Sequence, residues 1–310
     1  MIENKHINSF LRVLDLGSFS KAARSLNIAQ PALSQHVRKL EEALGTKLLD
    51  RGSQGVTPTA AGREFSSRAR EILALVHRAE RRFRAGEDQL FGEIRLGLPG
   101  SVCPVLAPPL MIKAADSFPN VKLIVTEHMS GDLTEMLREG RLDIAILFNV
   151  QETDDFTAEP IVVESLDLIG ARDAELVQEE KVHAKKLSNA PLVGTYPPHG
   201  LRLLLERWSS EVNIPLEFIF EADAPSVLIR LAASGRCYSI VSSAAITHEI
   251  VAGELGSAKI TDPPLERTAC LCSSKRLPPD AAREAILNLI NNMATELVLK
   301  GAWSGAKTVQ

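Results

Sequence analysis

The spacing of apolar residues changes once along the chain, and this change most constrains the fold. Up to about residue 85, apolar residues recur at helical spacing, and from Gly92 onward short strand-like runs alternate with helical stretches. Strand–helix alternation is typical of α/β units with mostly parallel sheets. The 310 residues suffice for about two or three domains. We therefore predict a small helical domain followed by a larger α/β domain.

The first 45 residues predict three helices. The first has its apolar face at Ile7, Phe10, Leu11 and Leu14 and ends at Gly17; the second has Ser20 as its expected N-cap. The third begins at Pro31 and carries an apolar stripe at Leu33, Val37, Leu40 and Leu44. Its opposite face is polar, with Ser34, Gln35 and Arg38. Such side chains can read base edges, so the pattern indicates a DNA-binding helix-turn-helix. A three-helix packing module with a solvated polar face is the alternative.

The following segment predicts a hairpin and a long helix. Two short extended pieces between Lys47 and Thr59 flank a glycine-bounded turn, which beside a helix-turn-helix would form a wing with Arg51 and Thr57 near DNA phosphates. Thr59 is expected to cap a helix that runs to about Ala85. Its apolar positions form a heptad seam that predicts pairing with a second chain, docking onto the protein's own body being the alternative: Phe65, Ala69, Ile72, Val76, Ala79 and Phe83.

Charge is distributed unevenly. Residues 1–90 hold 15 Lys and Arg and 10 Asp and Glu, a net charge of +5, whereas residues 91–310 hold 20 and 29, a net charge of −9. A basic N-terminal domain on an acidic body suits contact with an anionic polymer such as DNA. The overall net charge of −4 would by itself have argued against nucleic acid.

The N-terminal sequence resembles the DNA-binding signature of LysR-type transcriptional regulators. The resemblance is carried by residues 17–35, GSFSKAARSLNIAQPALSQ, by Leu40-Glu41 and Leu44-Gly45, and by the run from Gly55 to Gly62. The resemblance is dense over residues 1–90 and rests on length and element order beyond them. Two segments are similar to those of the nitrogen-assimilation-control branch of this family: Ile28-Ala29-Gln30-Pro31 and Gly55-Val56-Thr57-Pro58-Thr59.

The resemblance implies a winged helix-turn-helix over residues 1–58, a dimerising linker helix over 59–88 and a two-lobed effector-binding domain, like a periplasmic binding protein, over 92–300. It assigns DNA contact to Gln30, Pro31, Ser34, Gln35 and Arg38 of the recognition helix and to Arg51 and Thr57 of the wing; Ser20 completes our expected DNA-binding set. Ser53 and Gln54 stand at the wing tip where the family often carries cations, so we expect fewer phosphate contacts. The resemblance further implies that the protein binds an interrupted promoter dyad as a homodimer or homotetramer, with RNA polymerase as a further partner.

The body predicts a cleft. We expect lobe 1 to hold residues 92–160 and 268–300 and lobe 2 to hold residues 161–267, with residues 301–307 as a loose tail. Strand ends in such sheets meet at the ligand site, and helix N-termini there favour anions such as a carboxylate. The residues expected to line it are Pro99, Gly100, Ser101, Ser130, Phe148, Thr195 and Ser226. The sequence places no arginine in this pocket.

Other chemistries find little support in the sequence. Motifs of hydrolases, nucleotide-binding loops and zinc proteases are absent, and the histidines, His128 and His199 among them, look isolated and solvated. We expect no enzyme activity, no cofactor and no metal. No apolar run is long enough to cross a membrane, and the first residues do not resemble a secretory signal, so a cytoplasmic protein is expected. Two alternatives stay open: a redox sensor switching at Cys103, whose position at a helix N-terminus could lower its pKa, and a solute-binding module without a DNA role.

Overall fold

The computed structural model describes residues 2–52, 55–84 and 90–309; the side chains of residue 74 and residues 77–84 lie outside this description. The chain forms two compact units. The first consists mainly of residues 1–89 and the second mainly of residues 90–310.

The first unit is a winged helix-turn-helix followed by a long helix. Its elements are α1 (Asn4–Leu16), α2 (Phe19–Ser25), α3 (Gln30–Leu44), β1 (Leu49–Gly52), β2 (Gly55–Pro58) and α4 (Ala60–Arg84). The apolar stripes of α1 and α3 meet in one core, in which Phe10, Leu33 and Leu40 are fully buried. The three predicted helices and the hairpin are confirmed.

Caps and tight turns set the ends of these helices. Gly17 and Gly45 end α1 and α3 with φ of 58° and 67°, a left-handed conformation that favours glycine. The predicted N-cap of α2 is wrong by two residues: Ser18, whose Oγ accepts from the backbone N of Lys21 at 3.4 Å, is the cap, and Ser20 lies inside the first turn. Thr59 caps α4 as expected, since its Oγ1 accepts from the backbone N of Gly62 at 2.9 Å.

The second unit contains eleven strands and six helices among its described residues. The elements are β3 (Gly92–Leu98), α5 (Cys103–Ser117), β4 (Val121–Glu127), α6 (Ser130–Arg138), β5 (Ile144–Phe148), β6 (Phe156–Ala171), β7 (Lys181–His183), β8 (Pro191–Gly194), α7 (Gly200–Val212), β9 (Glu217–Glu221), α8 (Pro225–Ala233), β10 (Tyr238–Ser242), α9 (Thr247–Val251), β11 (Leu255–Thr261), β12 (Glu266–Ser274), α10 (Ala281–Leu299) and β13 (Ala306–Thr308). Short 3₁₀ helices lie at Glu175–Val177, Ala184–Asn189 and Ser243–Ile246.

This unit has two lobes joined by two strand crossings. The strand order is β4-β3-β5-β12-β6-β10-β8-β9, and β6 belongs to both lobes: its first half pairs with β12 and its second half with β10 and β11. The crossings lie side by side, because Ser165 pairs with Glu266 and the backbone N of Leu166 donates to Leu265 O at 2.9 Å. The two crossings lie near residues 165 and 266, whereas the sequence predicts the lobe boundaries near residues 160 and 267.

The sheet is mixed rather than mostly parallel. Strand β3 is parallel to β4 and β5, and β8 is parallel to β9 and β10, as alternation predicts. Strands β6 and β12 are instead antiparallel to each other and to their other long neighbours, because each enters from the opposite lobe. The sequence did not predict β7, β11 and β13 as strands.

The expected loose tail at residues 301–307 is wrong. Trp303 is buried, with 1% of its surface exposed, and packs in the lobe 1 core. Beyond it, β13 pairs antiparallel with β6 over Val162–Glu164. The C-terminal segment therefore lies against β6 next to the crossing between the lobes.

Candidate functional site

The first candidate site is the outer face of α3. Gln30, Pro31, Gln35 and Arg38 are exposed there and Ser34 is half-buried, while the opposite side of the helix lies in the core. These positions recur every three to four residues, so they form one surface, as the sequence predicts. The surface presents amide, hydroxyl and guanidinium groups, the types that can contact base edges.

Neighbouring elements hold this face in place. The Ser20 hydroxyl donates to Gln30 Oε1 at 3.1 Å, which links α2 to the start of α3. Arg38 Nε donates to Glu42 Oε1 at 2.7 Å; since both side chains are largely exposed, this ion pair is weak and could yield to a phosphate.

The wing is fixed against the turn between α1 and α2. The guanidinium of Arg51 lies over the Phe19 ring, 4.1 Å from its centroid, and the backbone N of Val56 donates to Gly17 O at 3.0 Å. Arg51 and Thr57 are both exposed. The wing tip, Ser53 and Gln54, lies outside the described residues, so the expectation of few phosphate contacts there stays a prediction.

The structure divides the predicted dimerisation seam of α4. Phe65 and Ala69 pack into the core of the first unit, where Ala69 is fully buried and the Phe65 ring lies 5.6 Å from that of Phe10. These two positions therefore dock onto the chain's own core, which the sequence offered as the alternative. Ile72 is 42% exposed, and Leu75, which the sequence analysis left out of the seam, is 52% exposed. Val76 is half-buried, and the side chains of Ala79 and Phe83 lie outside the description.

The second candidate site is a cavity of about 460 Å³ between the two lobes. The carboxyl ends of β3, β4, β5, β8 and β10 and the first turns of α6, α7 and α8 surround it. Its apolar wall comes mainly from α7 and the lobe 2 core, with Leu201, Leu204, Leu228 and Val241. Polar groups converge from both lobes on the remaining wall.

Two hydroxyl groups in this cavity lack a partner. Thr195 and Ser242 line the cavity, and their hydroxyl oxygens are buried and make no hydrogen bond with any described residue. Each residue has 2% of its surface exposed. Buried polar groups are normally paired, so each of these covered hydroxyls would gain a partner by turning towards a ligand in the cavity.

Arg267 is the principal charged group of the cavity wall. Its Nε donates to Glu164 Oε1 at 2.6 Å, and its Nη2 donates to Ser101 Oγ at 2.8 Å and also forms an ion pair with Glu164 Oε1. The guanidinium also stacks on Phe148, 3.5 Å from the ring centroid. Arg267 is not among the pocket residues predicted from the sequence. Its signal was a charged pair, Glu164 and Arg267, inside two apolar strand runs, where buried charges have to be paired.

His199 also lines the cavity, contrary to the expectation that it is isolated. Its Nδ1 accepts from the backbone N of Leu201 at 3.1 Å and so caps α7. Burial lowers the pKa of His199, the nearby charge of Arg267 lowers it further, and Asp223 opposes both. At neutral pH the imidazole is therefore uncharged. His128 lines the cavity as well.

Exposed carboxylates surround the mouth of the cavity. Glu127, Asp132 and Asp223 line it together with one exposed cation, Arg207. Because these groups remain in contact with water, they act on a ligand more weakly than buried groups would.

The structure brings six of the seven predicted pocket residues together. Pro99, Gly100, Ser101, Ser130, Phe148 and Thr195 line the cavity. Ser226, on the first turn of α8, is exposed and does not line it, whereas its neighbour Pro225 does. The lining residues that were not predicted include a group from α7, such as Leu201 and Leu204, and further residues at strand ends, such as Glu127 and Asn149.

The cysteines do not form a reactive pair. All four are free, and the pKa of each is raised above its usual value. For Cys103 the causes are burial and the neighbouring carboxylate of Glu127, which outweigh the expected effect of the helix N-terminus. The expected lowering of this pKa is therefore wrong. Burial raises the pKa of Cys272 to about 12.

Within the described ranges, no cluster of His, Cys, Asp and Glu side chains could hold a metal ion. The helices described there are also too short or too polar to cross a membrane.

A winged helix-turn-helix followed by a two-lobed domain with a ligand-sized cleft defines a class of protein, the ligand-responsive DNA-binding regulators. The family described as "Bacterial regulatory helix-turn-helix protein, lysR family" matches residues 4–63, and the family "LysR substrate binding domain" matches residues 87–294. The second match covers more than half of the chain, which therefore belongs to the LysR family. It is a LysR-type transcriptional regulator with an effector-binding domain.

Known relatives share nearly its whole length. The HTH-type transcriptional regulator BbuR of Bordetella bronchiseptica is 26% identical, covering 98% of this chain and 93% of the relative. The nitrogen assimilation regulatory protein nac of Klebsiella aerogenes is 29% identical, covering 94% and 96%. Among solved structures, a full-length OxyR variant from Pseudomonas aeruginosa superposes with a TM-score of 0.77 at 20% identity, covering 100% of this chain and 99% of that one, which shows a shared fold.

Proposed function

We propose that this regulator binds a promoter dyad through α3 and the wing and that a small monocarboxylate in the cleft controls that binding. The observation that carries the effector half is the cavity wall with two unpartnered buried hydroxyls and an arginine. The DNA half is supported by the polar face of α3, which is exposed at Gln30, Gln35 and Arg38 and backed by a packed core.

We place base readout on Gln30, Ser34, Gln35 and Arg38. Pro31 starts the recognition helix, and Ser20, Arg51 and Thr57 fall at the neighbouring surface where phosphates would pass. Phosphate contacts set the register of the head on DNA, whereas the α3 side chains choose the sequence. The complex would form in the cytoplasm and act on RNA polymerase at the promoter.

We propose a homodimer, assembling further to a homotetramer, with the α4 helices in contact. The part of the seam available for a second chain begins at Ile72 and includes Leu75 and Val76, since Phe65 and Ala69 are already packed. Exposed apolar side chains at helical spacing are typical of a helix that pairs with another helix. A dimer places two recognition helices on DNA, which suits a site with dyad symmetry.

The hydrogen-bond donors of the cavity suit one carboxylate on the ligand. The guanidinium of Arg267, whose charge is balanced by its ion pair with Glu164, and the hydroxyls of Ser101, Thr195 and Ser242 can donate to an anion. The leucine wall suits an apolar body. The carboxylates at the mouth disfavour a second anionic group there, so the far end of the ligand should be neutral or cationic.

Ligand binding would act on DNA through the lobes. Groups from both lobes line the cavity, so a ligand touching both favours the arrangement in which they are close. It can shift this equilibrium only by its difference in affinity for the two arrangements. Because each chain of the oligomer carries a winged helix-turn-helix, a movement of one lobe against the other would change the spacing of the recognition helices.

Isothermal titration calorimetry of the full chain tests the effector class. We expect 3-phenylpropionate to bind at least about tenfold more tightly than the neutral 3-phenylpropionamide, because hydrogen bonds to a charged group contribute about 1.5–3 kcal/mol. Ser101→Trp should fill the cavity and abolish binding while leaving affinity for DNA unchanged. Equal affinities for the acid and the amide would contradict a monocarboxylate effector.

The redox alternative is less favoured by the site. A thiol reacts as its thiolate, and the raised pKa values leave little thiolate on any of the four cysteines. Insensitivity of DNA binding to hydrogen peroxide would agree with this. The alternative of a solute-binding module without a DNA role does not fit the helix-turn-helix family match.

A further inference from the structure

The C-terminal segment makes a buried connection to the pocket that the proposed function does not use. The indole Nε1–H of Trp303 donates to Glu164 Oε2 at 3.0 Å. The other oxygen of the same carboxylate, Oε1, accepts from Arg267 Nε and also forms an ion pair with Arg267 Nη2. Arg267 in turn donates to Ser101 Oγ at the cavity wall. Three bonds thus lead from Trp303 to the pocket.

The three side chains that lead to Ser101 are shielded from water. Glu164 has none of its surface exposed, Trp303 has 1% and Arg267 has 7%. A carboxylate in such a place needs donors on both oxygens, and here each oxygen has its own. The bonds therefore hold the carboxylate in one orientation.

The backbone of the C-terminal segment is equally fixed. Strand β13 pairs with β6 at Glu164 itself, and the backbone N of Ser165 donates to Gly305 O at 2.9 Å. A Cβ on Gly305 would lie 2.4 Å from Ser243 Oγ, and its φ of +69° favours glycine. The segment sits where β6 crosses between the lobes, so its position and the lobe junction are coupled.

We propose that Trp303 is a positioning residue for the effector pocket, which orients Arg267 through Glu164 for a ligand carboxylate. The proposal rests on the proposed function, in which Arg267 faces that carboxylate. Without the indole N–H, Oε2 of Glu164 loses its donor. Arg267 Nη2 already forms an ion pair with Glu164 Oε1. Because arginine readily donates two parallel bonds to the two oxygens of a carboxylate, Nη2 would move to the vacated Oε2 and leave Ser101.

The test compares two identical substitutions. Trp303→Phe removes the indole N–H and keeps an aromatic ring in the core. Trp208→Phe is the matched control, because Trp208 is also buried in the effector-binding domain, in the lobe 2 core, and its Nε1 bonds no described residue. Cooperative thermal unfolding of both full-length variants establishes that they are folded.

The first readout is ligand affinity by calorimetry. Trp303→Phe should weaken 3-phenylpropionate binding about tenfold, the loss of one hydrogen bond in a charged network, and change 3-phenylpropionamide binding much less. Trp208→Phe should change neither. Equal weakening of the acid and the amide by Trp303→Phe would show a merely structural role and overturn the proposal.

The second readout needs no ligand. A crystal structure of full-length Trp303→Phe should show that Arg267 Nη2 has left Ser101 Oγ. An unchanged contact would overturn the proposal, whatever the ligand affinities. If the wild type binds neither the acid nor the amide, the proposed effector class fails, and this structure alone decides whether Trp303 positions Arg267.

Discussion

Ser242 and Ser239 lie on the same strand, β10, and offer a matched pair of substitutions in the effector-binding domain. Both are buried, with 2% and 1% of their surfaces exposed. The Ser239 hydroxyl donates to Val193 O at 3.0 Å, whereas Ser242 Oγ has no partner among the described residues. The change from serine to alanine therefore removes a hydrogen bond at position 239, whereas at position 242 it removes a hydroxyl that has no partner.

The two changes should have opposite effects on stability. Losing the bond of Ser239 should lower the free energy of unfolding by about 1 kcal/mol, because one intramolecular hydrogen bond contributes about that much. Removing the unpaired hydroxyl of Ser242 should raise it by about 1 kcal/mol, since a buried unsatisfied group costs about 1–3 kcal/mol. For a domain of this size each change corresponds to about 2–4 °C in melting temperature.

Ligand affinity should be lowered by the change at Ser242 and not by the change at Ser239. Ser242 lines the cavity, so Ser242→Ala should weaken 3-phenylpropionate binding by about tenfold through loss of a donor to a charged group. Ser239→Ala should leave it unchanged. Thermal unfolding of the ligand-free proteins by circular dichroism and calorimetric titration measure the two effects. If Ser242→Ala destabilises the protein as much as Ser239→Ala does, the hydroxyl is already satisfied and the reasoning fails.

Three further changes test other parts of the account. Gly62→Ala should destabilise the first unit by about 1–3 kcal/mol in denaturant unfolding, because its Cβ would lie 1.9 Å from Leu48 O, and unchanged stability would contradict that close contact. Ile72→Asp should lower the mass measured by light scattering, because it places a charge in the proposed α4 interface; an unchanged mass would show that the chains associate elsewhere. His199→Asn keeps a cap for α7 but removes a group whose pKa is lowered by burial. Since unfolding lets His199 take up a proton below its usual pKa of about 6.5, wild-type stability should fall as the pH drops from 7 to 5 and the variant's should fall less; equal pH dependence would argue against a buried neutral His199.

The first unit could be predicted almost completely because its determinants are local. The stripe on α3, the glycines that end α1 and α3 and the Thr59 cap each act within a few residues of sequence. Among its caps, that of α2 was misplaced, since Ser18 and Ser20 are both suitable residues and the difference depends on how α1 turns into α2.

The body was predictable in its elements and less so in its pairing. Strand β6 changes partners halfway along, and β12 returns antiparallel beside it, which no local pattern reveals. Strand β13 was missed for a related reason: a three-residue strand after Trp303 is specified by pairing with residues more than 140 positions earlier.

In the pocket, too, features set by local sequence could be predicted and features set by distant contacts were missed. Strand ends such as Ser101 and Thr195 could be found, because the carboxyl ends of parallel strands meet. Arg267 was missed: its charge within a strand was a signal, but its place in the pocket depends on Glu164, Phe148 and Ser101, which are distant in sequence. The seam of α4 showed the reverse error: its spacing was correct, but spacing does not tell whether Phe65 and Ala69 face a partner or the chain's own core.

The most direct test of the central claim is the fluorescence anisotropy of the full-length protein on DNA from upstream of its own gene and on shuffled DNA, at physiological salt. The account predicts tighter binding to the upstream DNA, and Gln35→Ala should reduce this affinity by about 1–3 kcal/mol, whereas Gln151→Ala, on the exposed surface of the second unit, should not. Addition of 3-phenylpropionate should shift the wild-type affinity. Failure to bind either DNA even at low salt, or identical binding by the Gln35→Ala variant, would contradict the account.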